Sequence, residues 1–106
     1  MARTLINVPS TARRGEVIDV RATIAHPMES GYRVGIDGAT LPRDILRRFA
    51  CRYDGELVFA ADLHPAIASN PYIAFSTVAT ASGTLSFTWE GDNNFAQTES
   101  VKISVT

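Results

Sequence analysis

The sequence predicts an all-β domain in which about seven short antiparallel strands pack as a two-layer sandwich. Three observations lead to this prediction: apolar and polar residues alternate in several segments, glycine and proline recur along the chain, and the chain has 106 residues. Alternation gives a strand one apolar and one polar face, and frequent glycine and proline leave little room for helices. A chain of this length builds one core, so residues 1–106 are predicted to form a single domain.

The clearest strand is predicted between Val17 and Ala25, where apolar and polar residues alternate over the whole segment. Two segments near the end of the chain repeat this pattern and predict two further half-buried strands. The apolar residues of the three strands are Ile18, Val20, Ala22 and Ile24, then Leu85, Phe87 and Trp89, and finally Val101, Ile103 and Val105.

A β-hairpin is predicted around Asp54-Gly55, because glycine accepts the positive φ that a tight turn requires. The two strands that it joins are expected at Arg48–Tyr53 and Glu56–Leu63, paired antiparallel.

Two registers are open for this hairpin. A two-residue turn pairs Tyr53 with Glu56, whereas a three-residue loop with a bulge at Gly55 pairs Arg52 with Glu56. The second register is favoured because it collects the apolar side chains of both strands on one face. Those side chains are Phe49, Cys51, Leu57, Phe59, Ala61 and Leu63.

Two segments carry an alternative or an anomaly. Pro42–Phe49 has a helical alternative, since proline and a following Asp44 resemble a helix start, but the segment is too short for a helix without packing. Tyr72–Ala79 carries apolar side chains on both alternations, as a strand covered on both faces would. A second protein covering this strand is therefore a hypothesis.

Short strands with closely spaced turn signals favour an immunoglobulin-like sandwich. The cysteine and tryptophan spacing of an antibody domain is absent, because Cys51 is the one cysteine and Trp89 lies late in the chain.

Composition excludes several function classes. Ten Lys+Arg against eleven Asp+Glu give a formal net charge of -1, which provides no field for capturing nucleic acid or an anionic membrane. No apolar run approaches the roughly 20 residues that span a bilayer. The first residues lack the apolar region of a signal peptide, so the cytoplasm is the default expectation unless a partner carries an export signal.

Few residues are candidates for chemistry. Cys51 is predicted to be a small buried apolar residue, since its apolar surroundings raise the pKa of a thiol. His26 and His64 each precede a proline at a strand exit, where we expect them to hydrogen-bond the loop backbone. A metal site that these histidines build with Met28, Glu29 and Asp62 is the alternative, although the spacing is not that of a metal motif.

Two local clusters are interpreted as structural. The glycines between Gly31 and Gly38 predict a flexible loop, because no strand and helix frame them as a phosphate-binding turn. The basic cluster of Arg43, Arg47, Arg48 and Arg52 is predicted to be a solvated face. Its expected counter-ions are Asp44, Asp54 and Glu56.

Several segments together resemble the SoxZ family of thiosulfate-oxidation proteins, and the resemblance covers almost the whole chain. The segment with the densest resemblance is Ala61–Pro71. The others are His26–Gly31, Pro42–Ile45, Cys51–Glu56, Thr77–Thr80, Ser82–Leu85 and Thr98–Ser100.

The resemblance implies an immunoglobulin-like subunit of a heterodimeric sulfur carrier. In such pairs a Y subunit bears a Gly-rich arm whose cysteine carries the sulfur intermediates, and the Y subunit also carries the export signal. The resemblance therefore implies a non-catalytic scaffold without a cofactor, located in the periplasm by co-export. It further implies transient docking with other sulfur-oxidation enzymes.

The partner contacts are predicted in the two His-Pro loops, His26–Arg33 and His64–Pro71, because polar loops on a rigid scaffold are the usual place of recognition. No catalytic, cofactor-binding or metal-binding residue is predicted. A metal-binding domain and a generic immunoglobulin-like interaction module stay open as alternatives. The predicted contact residues are His26, Pro27, Met28, Glu29, Gly31, Tyr32, Arg33, His64, Pro65, Asn70 and Pro71.

Overall fold

The computed structural model describes residues 2–106, and this part of the chain contains eight strands and no helix. The strands are β1 (Thr4–Asn7), β2 (Thr11–Ala12), β3 (Val17–Ile24), β4 (Leu46–Tyr53), β5 (Glu56–Asp62), β6 (Tyr72–Val78), β7 (Gly83–Gly91) and β8 (Ala96–Val105).

The strands form two sheets. The smaller sheet has the order β1-β3-β6, and the larger has the order β2-β8-β7-β4-β5. All neighbours pair antiparallel except β2, whose two residues pair parallel with β8. The all-β, immunoglobulin-like sandwich is thus confirmed, with eight strands where about seven were predicted, because a two-residue strand leaves no periodic pattern. Within residues 2–106, no helix has the length and apolar character needed to cross a bilayer.

The core lies between the sheets, and the predicted alternations supply it. Burial alternates along β3 and β7 as the sequence predicts. Phe49 lies at the centre, with its ring centroid 5.4 Å from that of Trp89 and 6.3 Å from that of Phe75 in the opposite sheet. Burying an aromatic side chain of this size contributes roughly 2–3 kcal/mol, so these contacts hold the two sheets together.

The favoured register of the β4–β5 hairpin is wrong at the turn. Tyr53 pairs with Glu56 across a two-residue turn, and Arg52 pairs with Leu57 instead of Glu56. Asp54 and Gly55 have φ of 49° and 85°, the left-handed geometry of a tight hairpin turn.

A bulge farther along this hairpin restores the predicted apolar face. The register shifts between Cys51 and Arg52, where Val58 is the extra residue on β5. Beyond the bulge Cys51 pairs with Phe59, and the apolar residues of both strands share one face. Leu57 lies before the bulge and is 47% exposed, so its predicted place on the shared face is wrong.

The segment before β4 is extended and not helical. Glu29 and Asp44 each donate a backbone N–H to the other's carbonyl oxygen, both at 2.8 Å. These bonds form an isolated antiparallel bridge. Because they engage the N–H and C=O of Asp44, these groups are not available for helical hydrogen bonds.

The basic cluster has counter-ions other than the expected ones. Asp92 accepts hydrogen bonds from Arg43 and lies 3.3 Å from the Nε atom of Arg47, while Asp62 pairs with Arg48 at 3.3 Å. The Arg43 guanidinium is the main reason that the pKa of Asp92 lies below its usual value. The cluster forms a solvated, charge-balanced face as predicted, but the acidic residues predicted to balance it are wrong.

Candidate partner-binding surface

The two predicted contact loops lie side by side at one end of the sandwich. The backbone N–H of His26 donates to Oδ1 of Asn70 at 3.0 Å, and the N–H of Asn70 donates to the carbonyl oxygen of His26 at 2.8 Å. Asn70 has a φ of 53°, a conformation that asparagine tolerates better than most residues. The structure therefore joins the loops that sequence reasoning named separately. We call these two loops, with the hairpin that follows Ser30, the loop end.

His26 supports this surface from inside. Its side chain is buried, its Nδ1 atom accepts the backbone N–H of Met28 at 3.1 Å, and its ring packs edge-on against Phe95. Because Nδ1 accepts, Nε2 carries the proton of the neutral ring, and Nε2 lies 3.7 Å from Asp44. The imidazole of His26 thus fixes the turn as predicted, whereas the exposed side chain of His64 makes no hydrogen bond within residues 2–106, so the same prediction is wrong for His64.

Met28 is also an interior residue. It has a φ of 51°, is buried, and its sulfur accepts the backbone N–H of Leu46 at 3.2 Å. Pro71, at the far end of the second loop, is buried as well. These residues position the loops and offer little side-chain surface to a partner.

The remaining predicted contact residues lie at or near the surface. Pro27 and His64 are exposed, and Pro65 and Gly31 are half-buried. Tyr32 is 83% exposed, the largest accessible aromatic surface of the loop end.

Glu29 and Arg33 form an ion pair at the base of the hairpin. Nη2 of Arg33 lies 2.6 Å from Oε1 of Glu29, and Nε contacts both carboxylate oxygens at 3.2 Å. The hydrogen bonds from Arg33 lower the pKa of Glu29 from its usual value. The pair lies where the hairpin leaves the sandwich.

The predicted flexible loop is a hydrogen-bonded hairpin, which we call the arm and define as residues 31–41. Val34 and Thr40 form an antiparallel bridge, Gly35 donates its N–H to Ala39 at 2.8 Å, and Leu41 donates to Arg33 at 2.8 Å. The main-chain ladder therefore orders a segment that its glycines predict to be flexible.

The arm presents apolar side chains to solvent. Val34 is 59% exposed and Ile36 is fully exposed at its tip. Sequence reasoning missed both residues, although Tyr32, Val34 and Ile36 alternate with polar or small residues in the pattern of a short strand. An ordered hairpin with exposed apolar side chains is typical of a protein interaction surface.

The one thiol of the chain is remote from this surface. Cys51 is fully buried in β4, and burial raises the pKa of its thiol to about 11. A protonated thiol without solvent access is neither a nucleophile nor a carrier of sulfur groups.

No metal centre is assembled in the part of the chain that the structure describes. Residues 2–106 contain no group of three or more His, Cys, Asp or Glu side chains placed to hold a metal ion.

Comparison with known proteins gives both a family and a fold. A family model described as "Sulphur oxidation protein SoxZ" matches residues 6–102. No curated protein matches the sequence at a significant level.

Solved structures share the architecture at low sequence identity. The superoxide reductase (neelaredoxin) of Ignicoccus hospitalis has a TM-score of 0.74 and 15% identity over 99% of this chain and 82% of its own. The sulfur carrier protein SoxY of Chlorobium limicola f thiosulfatophilum has a TM-score of 0.69 and 13% identity over 97% of this chain and 78% of its own. At these identities the likeness shows the fold alone.

The family match spans nearly the whole described sandwich, including both loops and the arm. The chain therefore belongs to the SoxZ family of sulphur oxidation proteins and is a subunit of the Sox sulfur-oxidation carrier.

Proposed function

We propose that this chain is the non-catalytic subunit of a heterodimer with a Y-type subunit, whose arm cysteine carries the sulfur intermediates of thiosulfate oxidation. The observation that supports this division is the burial of Cys51, whose thiol has a pKa raised to about 11. Covalent sulfur chemistry needs an accessible thiolate, so the reacting cysteine belongs to the partner.

The loop end is proposed to contact the other proteins of the pathway while the sandwich supports the partner. Tyr32, Val34 and Ile36 provide exposed apolar area, and the main-chain hydrogen bonds of the arm keep it ordered. A rigid surface loses little conformational freedom on binding, which favours repeated short encounters with enzymes.

The proposed location is the periplasm, reached by co-export with a signal-bearing partner. This proposal follows from the family resemblance. The test is to express the chain with and without the Y-type subunit and to measure its amount in periplasmic extracts. Accumulation in the periplasm without the partner would contradict co-export.

The heterodimer is tested by mixing the purified chain with the Y-type subunit and measuring mass by light scattering after size exclusion. A stable one-to-one complex is the expected result. The Cys51→Ala variant is expected to form the same complex and to support the same sulfur-oxidation turnover as the wild type. Failure to form a complex, or loss of turnover in a folded Cys51→Ala variant, would overturn the proposal.

A further inference from the structure

The sandwich has four edge strands, and three of them are protected against pairing with another chain. The edge strands are β1 and β6 in one sheet and β2 and β5 in the other. β2 has two residues, and β1 has four. β5 has charged ends, Glu56 and Asp62, and the bulge at Val58. Short length, charge, proline and bulges are the means by which proteins prevent an edge strand from pairing with another chain.

β6 lacks these protections. Its seven residues include no charged residue and no proline, and its register with β3 runs without a bulge from Tyr72 to Val78. Such an edge is a template for another strand.

The backbone groups of β6 that are available at this edge follow from two hydrogen bonds. Ile24 donates its N–H to the carbonyl oxygen of Pro71 at 3.3 Å, and Ala79 donates to Glu16 at 2.8 Å. In an antiparallel pair every second residue faces the neighbouring strand, so the odd-numbered residues of β6 face β3. The residues whose N–H and C=O groups point to the open edge are Tyr72, Ala74, Ser76 and Val78.

The surroundings of this edge are apolar and already formed. Behind it, the ring of Phe75 stacks on that of Phe59 in the opposite sheet, with centroids 4.4 Å apart and planes at 6°. At its two ends Tyr72 and Val78 are 60% and 45% exposed. A bound strand therefore gains main-chain hydrogen bonds and apolar contacts without a rearrangement of the core.

We propose that β6 holds the partner subunit by accepting an uncharged edge strand of that subunit in antiparallel register. This inference rests on the proposed function and assigns the stable interface to β6 and the transient contacts to the loop end. An uncharged strand is the complement of β6, because its inward-facing side chains lie beside the stacked rings of Phe59 and Phe75, where a charge loses its water and finds no opposite charge. The SoxY structure shares the sandwich fold over 97% of this chain, and a sandwich of this kind has sheet edges whose strands can pair with β6.

The experiment compares two alanine-to-proline variants at matched edge positions. Ala74→Pro removes an open N–H of β6 and leaves the bonds to β3 intact. Ala60→Pro is the control on β5, where the N–H of Leu63 donates to Arg47 at 2.8 Å and the alternation again places Ala60 outward. Val78→Glu adds a charge to β6 beside the uncharged Val17 of β3 and keeps the backbone N–H, and it is the deciding variant if Ala74→Pro does not unfold cooperatively.

Binding of each folded variant to the Y-type subunit is measured by isothermal titration calorimetry. We expect Ala74→Pro and Val78→Glu to weaken binding at least about tenfold and Ala60→Pro to stay within about twofold of the wild type. Wild-type affinity in the β6 variants, with the wild-type complex intact, overturns this inference and leaves the proposed function standing. A wild-type chain that binds no Y-type subunit overturns both.

A second copy of the chain is the competing occupant of β6. If the wild type alone is a dimer that Ala74→Pro dissociates, and this variant keeps wild-type affinity for the Y-type subunit, β6 is a self-interface and the inference is overturned.

Discussion

At the scale of single residues, burial decides what the chemically interesting side chains do. Cys51 and His26 are the residues that a search for reactive groups selects first, and both are buried. Burial raises the pKa of the Cys51 thiol to about 11, while the Nδ1 atom of His26 accepts a hydrogen bond from the backbone N–H of Met28. Both residues therefore serve the structure.

Cys51 makes the stability depend on alkaline pH. The pKa is about 11 in the folded chain against an ordinary value of 9.0, so the unfolded chain releases its proton first. The stability that the buried, protonated thiol contributes is fully present below about pH 9 and is lost as pH rises towards about pH 11. We expect a loss of about 1 kcal/mol at about pH 10, measured by urea unfolding followed by Trp89 fluorescence.

The Cys51→Ala variant is the control, and its stability should lack this component of the pH dependence. The thiol of the wild type should react with a disulfide reagent near neutral pH only after unfolding in urea. Rapid labelling of the native chain would contradict the burial of Cys51.

At the scale of elements, side chains tie strands to the connections of other strands. The hydroxyl of Tyr53 in β4 donates to the carbonyl oxygen of Ala81 and accepts the backbone N–H groups of Thr80 and Ala81, both at 3.3 Å. The Asp54 carboxylate accepts the N–H of Thr84 at 2.9 Å. The connection between β6 and β7, which crosses from one sheet to the other, is thereby held against the β4–β5 turn.

Tyr53→Phe is expected to destabilise the protein by about 1–2 kcal/mol, because it removes one hydroxyl and leaves the backbone groups of the connection without their partner. Tyr32→Phe is the matched control, since Tyr32 is 83% exposed, and its effect should stay within about 0.5 kcal/mol. Urea unfolding of both variants measures the difference. Equal stabilities would show that the Tyr53 hydroxyl contributes nothing to this connection.

At the scale of the whole molecule, the sandwich that contains the core is distinct from the arm, which lies at one end of it. The molecule measures 58 × 20 × 20 Å, and its long dimension exceeds the about 33 Å of a ten-residue strand such as β8. Because the arm contributes exposed apolar side chains and little to the core, its residues can change without loss of the fold.

The double variant Val34→Ser/Ile36→Ser tests this separation. We expect its free energy of unfolding to stay within about 0.5 kcal/mol of the wild type, because both side chains are exposed. Turnover of a reconstituted sulfur-oxidation system should fall several-fold while the one-to-one complex persists. The outcome that counts against the arm as a contact surface is unchanged turnover.

The alternation of residues by itself determined the faces of β3, β7 and β8, the burial of Cys51 and the all-β class, because side chains alternate with a period of two in any strand. The motifs likewise identified the family that the comparison shows. Tertiary structure alone decided the bulge in β5, the counter-ion Asp92 of Arg43, 49 residues away, and the joining of His26 to Asn70, 44 residues away. It also decided that β6 is an open edge. These features depend on which distant segments become neighbours, and a local pattern carries no record of that choice.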